Sequence, residues 1–142
     1  EYLLKQRNCQ VGLVDLSEEC LALFTSRIGA SHRERVKFTW KSCATDLSWI
    51  PEASFNTALL MGPLYHLVTE QERKKAVAEA LRIIVPGGFV FATFISCYPV
   101  FSRILTHEPS LLHDEKFLDD LLNQGMVFAK DEISSMTDHY RC

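Results

Sequence analysis

Apolar runs too short for helices recur between segments with helical spacing, and that alternation confines this chain to an α/β architecture. Residues 11–14, Val-Gly-Leu-Val, form an unbroken apolar run, the pattern of a parallel strand covered on both faces. Residues 55–61 form a near-continuous apolar run, hence a more central strand, and 89–95 are read as a further buried strand. Residues 36–41 alternate Val, Lys, Phe, Thr, Trp, Lys, and this period of two marks a strand with one wet face at a sheet edge. A helix over residues 18–28 is predicted after Ser17 as its cap, with Glu18 and Glu19 in the first turn and Leu21, Phe24 and Ile28 on one face. Thr69 and Glu72 form a capping box before a helix reaching about Val85, with Val77, Ala80, Leu81 and Ile84 as its apolar stripe. Pro86-Gly87-Gly88 is expected to end that helix and turn the chain into the 89–95 strand. Strands and helices alternating in this way imply a parallel sheet with right-handed crossovers.

The two ends of the chain read differently. Residues 1–10 resemble the tail of a helix, with Tyr2, Leu3 and Leu4 on its apolar side. After Ser96, residues 98–105 and 114–124 read as two helices. The second has Phe117, Leu118, Leu121 and Leu122 facing inward and Gly125 as its stop. This region is expected to be a helical cap over the strand ends within the same domain. The division is therefore residues 1–97 as core and 98–142 as cap.

A chain of 142 residues has enough material for one core. Its net charge of −3, without a Lys/Arg cluster, argues against a nucleic-acid partner. Arg73, Lys74 and Arg82 read as the solvated face of an amphipathic helix. The cysteines at 9, 20, 43, 97 and 142 are odd in number and form no CxxC pair, which points to reduced thiols in a cytoplasmic protein and no metal site. The longest apolar stretch is broken at Pro86-Gly87-Gly88, so no membrane span is expected.

Three loops, residues 15–17, 42–46 and 61–66, leave the C-terminal ends of the strands, where α/β sheets hold ligands. They offer the carboxylate of Asp15 for a pair of hydroxyls and the apolar Leu16 for a flat ring. They also offer polar atoms around Cys43 and Ala44, and Gly62 where a ligand can approach the backbone. That set suits a nucleoside better than a bare phosphate, since nothing in it forms an anion nest. Plainer roles stand beside these: Asp15 as a turn acid, Cys43 as a small filler, Tyr65 as a packed ring and His66 as a structural hydrogen-bonder. His107 and His113 read as surface residues, and Trp40 and Trp49 as packing.

The segments VGLVDLSEECL, CATDLSWIPEASFNTALLMGPLYHL and AEALRIIVPGGFVFATFI, taken in order, resemble class I S-adenosylmethionine-dependent methyltransferases of the small-molecule type. The resemblance covers about residues 8–98. It implies a Rossmann-like three-layer sandwich with a mostly parallel sheet, incomplete here, and S-adenosylmethionine as cofactor. By position it implies that Asp15 binds the ribose hydroxyls, Leu16 packs on adenine, and Cys43 and Ala44 read the adenine edge. Met61 and Gly62 would flank the methionine part, while Tyr65 and His66 would face a small-molecule acceptor, His66 as a general base. Self-association is left open.

The sequence departs from the family pattern in four places. The family's first strand and its glycine-rich loop are not among these residues, Cys43 and Asn56 each stand where the family has Asp, and the closing antiparallel hairpin is missing. The missing strand would lie between the strands of Leu13 and Leu59, and unpaired buried backbone groups cost about 1–3 kcal/mol each. The expectation is therefore a piece of a longer protein, or a gap filled by another element. Two other functions compete: a non-catalytic binding module on a degenerate methyltransferase scaffold, and a nicotinamide-dependent oxidoreductase, which shares the strand-end acid on ribose.

Overall fold

The computed structural model describes residues 2–6, 9–96 and 98–123, together with the backbone pairing of 126–127 with 139–140. Two compact units divide the chain, residues 1–49 and 50–142.

The first unit runs α1 (Tyr2–Gln6), β1 (Val11–Asp15), α2 (Glu18–Arg27), α3 (Ala30–Arg33) and β2 (Val36–Lys41). β1 and β2 pair in parallel, from Val11 opposite Val36 to Asp15 opposite Lys41. Ser17 caps α2 as the sequence predicts: its hydroxyl oxygen accepts the Cys20 N–H at 3.1 Å. Ile28 is buried and Leu21 and Phe24 are half-buried, so the predicted face is the one that packs. Of the apolar trio at the start, only Leu4 is buried, while Tyr2 and Leu3 are exposed. The short α3 had no distinct signal in the sequence.

The second unit runs β3 (Phe55–Leu60), α4 (Pro63–His66), α5 (Glu70–Ile83), β4 (Ile84–Ala92), α6 (Tyr98–His107), α7 (Glu115–Leu122), β5 (Met126–Val127) and β6 (His139–Tyr140), with a 3₁₀ turn at Pro109–His113. β3 and β4 pair in parallel, and β5 and β6 form a short antiparallel pair. The parallel pairs are each two-stranded. One edge of β1 and one edge of β3 therefore carry no ladder among the described residues.

Several expectations need correction. The predicted capping box of α5 is present, with both reciprocal bonds between Thr69 and Glu72. Its buried line, however, is Ala76, Ala80 and Ile83, and Leu81 is exposed. Small alanines let the helix backbone approach the sheet, so they take the inner line and the larger Leu81 turns outward. Helix α5 stops at Ile83, and Pro86-Gly87-Gly88 lies inside β4 rather than ahead of it. The ladder jumps from Phe55–Ile84 to Thr57–Phe89, so the intervening residues bulge. Gly88 makes this feasible, since a Cβ there would stand 2.6 Å from the Asn56 carbonyl oxygen. In α7, Phe117, Leu118 and Leu121 face inward, but Leu122 is 60% exposed. Asp114 caps that helix by accepting the Phe117 N–H at 2.9 Å. Gly125, predicted as its stop, lies outside the described residues.

Candidate functional site

In the first unit, Asp15 is the last residue of β1 and half-buried. Its Oδ1 accepts the Ser17 N–H at 2.8 Å, and its carbonyl accepts the Ser42 N–H at 3.2 Å. The first bond turns the chain from strand into helix, and the second brings residues 42–46 alongside. The carboxylate thus serves as a turn acid with one oxygen, and its other oxygen, Oδ2, has no hydrogen-bond donor among the described residues.

Leu16, next along, is 58% exposed and forms an uncovered apolar surface beside that carboxylate. The 42–46 turn is fixed by Ser42, whose hydroxyl donates to the Asp46 carbonyl at 2.8 Å, and by the Asp46 N–H on the Cys43 carbonyl at 3.0 Å. Cys43 and Ala44 are half-buried, and their N–H groups have no acceptor among the described residues. The Cys43 thiol is free. Hydrogen bonds from its own backbone and from the Ser17 hydroxyl hold the Glu19 carboxyl below its ordinary range, so the first turn of α2 stays negatively charged.

In the second unit, Met61, Gly62, Tyr65 and His66 follow β3 directly. Gly62 is buried with φ +132°, a conformation that residues with a Cβ rarely adopt. A Cβ at Gly62 would lie 3.5 Å from the Tyr65 hydroxyl. Met61 is 56% exposed. The Tyr65 and His66 rings lie against each other with centroids 4.8 Å apart. Tyr65 is half-buried and His66 exposed.

Arg73 and Arg82 are not the solvated residues that the sequence predicts. The Arg73 Nη1 donates to the carbonyls of Leu67 at 2.9 Å and Val68 at 2.5 Å, fixing the loop just after His66. Arg82 bridges the Glu79 carboxylate and the Ile50 carbonyl, the latter at 2.8 Å, and Glu79 raises its pKa. Nothing in the sequence separates these two arginines from Lys74, which remains exposed and paired with Glu70 at 2.7 Å. His107 and His113 are exposed, as expected.

Comparison with known proteins supplies the class. Residues 1–88 match the methyltransferase domain family, and the chain belongs to that family, whose members take their methyl group from S-adenosylmethionine. A SAM-dependent methyltransferase from Methanosarcina mazei superimposes with a TM-score of 0.63 at 18% identity, over 92% of this chain and 61% of that one. The fold is accordingly the mixed α/β, Rossmann-like fold of these enzymes. A tRNA (carboxymethyluridine(34)-5-O)-methyltransferase from Arabidopsis thaliana is 33% identical over 70 residues, covering 49% of this chain and 17% of that protein. The chain thus spans less than two thirds of the length of either relative.

The first unit fits an adenosyl group on its own geometry. A half-buried carboxylate, an exposed leucine beside it and two adjacent N–H groups without acceptors among the described residues are groups of the kinds that hydroxyls, a flat ring face and a ring edge can engage. No described helix is long and apolar enough to cross a membrane.

Proposed function

We propose that this chain carries the donor-binding part of a methyltransferase that moves a methyl group from S-adenosylmethionine to a small-molecule acceptor. The observation that carries this reading is the state of Asp15, half-buried at a strand end with no donor to Oδ2 among the described residues. On this reading Asp15 accepts from the ribose hydroxyls, Leu16 lies on the adenine face, and the Cys43 and Ala44 amides donate to its edge. The backbone at Met61 and Gly62 takes the methionine part, and Tyr65 and His66 meet the acceptor. S-adenosylmethionine supplies a methyl already activated by its sulfonium, so the chain's task is alignment and removal of one proton. His66 takes that proton from an acceptor hydroxyl or amine. Residues 98–142 act as a cap on the 1–97 core, in a cytoplasmic protein.

An RNA acceptor is the second reading, favoured by the Arabidopsis relative, which is named for tRNA. A net charge of −3 weighs against it.

Calorimetric titration with S-adenosylmethionine tests the donor. Saturable binding is expected, weakened about 30-fold by Asp15→Asn, since hydrogen bonds to a charged group are worth roughly 1.5–3 kcal/mol. Absence of saturable binding, or NAD binding in its place, overturns the proposal. Transfer of label from the methyl donor to total tRNA, and not to a small-molecule extract, would replace the acceptor reading.

A further inference from the structure

The C-terminal ends of α2 and α3 and the strand β2 border a cleft. Thr25, Ile28, Arg33, Val36, Phe38 and Thr39 line about 250 Å³ there. All six belong to the first unit, and none belongs to the donor site.

Three of the lining residues form an apolar floor. Ile28 is buried at the end of α2, and Val36 and Phe38 are half-buried on β2. The Phe38 ring has nowhere to retreat. It occupies the space over Gly12, where a Cβ would come within 2.3 Å of the ring, and it meets Trp49 edge-on with centroids 4.8 Å apart.

The rim differs in kind. Arg33, the last residue of α3, is exposed and makes no hydrogen bond or ion pair among the described residues. Arg35, two positions on, reaches the His32 ring at 3.3 Å. The Thr39 hydroxyl also has no hydrogen-bond partner among the described residues. A guanidinium presents a planar fork of donors that matches a carboxylate, and an apolar floor beneath it admits a compact tail.

We propose that this cleft binds a small monocarboxylate with a compact apolar tail, its carboxylate on Arg33 and its tail against Ile28, Val36 and Phe38. The volume limits the tail to about one aromatic ring or a short acyl chain. The site uses no residue assigned to the methyl donor, so it stands or falls independently of that function.

Phenylacetate is the probe, and phenylacetamide its neutral counterpart of nearly the same shape. Tryptophan emission reports on the site, because Trp49 touches Phe38. Amide chemical-shift changes should fall within residues 25–39. Saturable phenylacetate binding is expected. Phenylacetamide should bind at least about tenfold more weakly, and Arg33→Gln should cost phenylacetate a similar factor. Lys37→Gln, which alters a cation outside the lining, should change affinity by less than about twofold. The proposal is overturned if phenylacetate does not saturate by about 10 mM. It is also overturned if the amide binds as well as the acid, or if Lys37→Gln and Arg33→Gln weaken binding equally. The amide comparison needs no variant and so remains decisive if Arg33→Gln fails to fold.

Discussion

The two parallel strand pairs have the same local plan and are held together by different means. In the first unit, α2 has no buried residue within its helical span, and across the β1–β2 ladder one aromatic ring lies over one glycine. Phe38 meets Trp49, which in turn lies 5.4 Å from Trp40, so the contact continues as a chain of rings. In the second unit, α5 supplies three buried residues, and Arg82 and the Ala53 and Ser54 amides join its C-terminal end to the approach to β3. Both pairs have a backbone ladder; the first adds to it a point contact of side chains, whereas the second adds a buried line along a helix and backbone hydrogen bonds at the helix end.

Both arrangements leave apolar surface uncovered. Trp40 is 54% exposed in the first unit, and Phe89 and Phe91, 65% and 54% exposed, lie 6.2 Å apart in the second. In an α/β sheet such faces are usually covered by helices.

Substitution at Gly12 should have the largest effect. Gly12→Val places a side chain within the Phe38 ring and should cost about 3 kcal/mol, the upper end of ordinary overpacking. Denaturant titration measures it, and a loss below about 1 kcal/mol would show that the first pair does not depend on that contact.

Gly62→Ala should come next. At φ +132° the alanine is strained, and about 2 kcal/mol is expected. The same variant should weaken donor binding if the Gly62 backbone lies against the methionine part. Stability lost with affinity unchanged would separate the turn's structural role from a binding role.

Thr69→Ala should be the mildest, at about 1 kcal/mol, because it removes a helix cap from an element otherwise held by burial. Its effect depends on pH. Hydrogen bonds from the Thr69 side chain and then its backbone hold the Glu72 pKa below its ordinary value. A carboxyl lowered in the folded state adds stability above its unfolded pKa and loses it as pH falls through the folded one. The gap between wild type and Thr69→Ala should therefore be full at neutral pH and shrink below about pH 4. A gap that widens in acid would contradict the capping geometry. If Thr69→Ala proved as costly as Gly12→Val, the contrast between the two units would be reversed.

The sequence alone determined the features that depend on neighbours along the chain. Asp15 at a strand end, the Ser17 cap and the Thr69–Glu72 box are local, because their partners lie within four residues. The ordered motifs likewise revealed the family. Tertiary structure decided what depends on distant partners. It kept Ala80 on the inner line of α5 but set Ala76 and Ile83 beside it in place of Val77, Leu81 and Ile84, because the sheet fixes which side of the helix is covered. It placed Pro86-Gly87-Gly88 inside a bulged strand, because Asn56 lies against Gly88. It turned Arg73 toward the Leu67 and Val68 carbonyls in the loop before α5, and left Arg33 without a hydrogen-bond or ion-pair partner among the described residues at the rim of a cleft. An arginine's spacing fixes the face of the helix it lies on, but its hydrogen-bond partner is set by which backbone groups the folded chain leaves within reach.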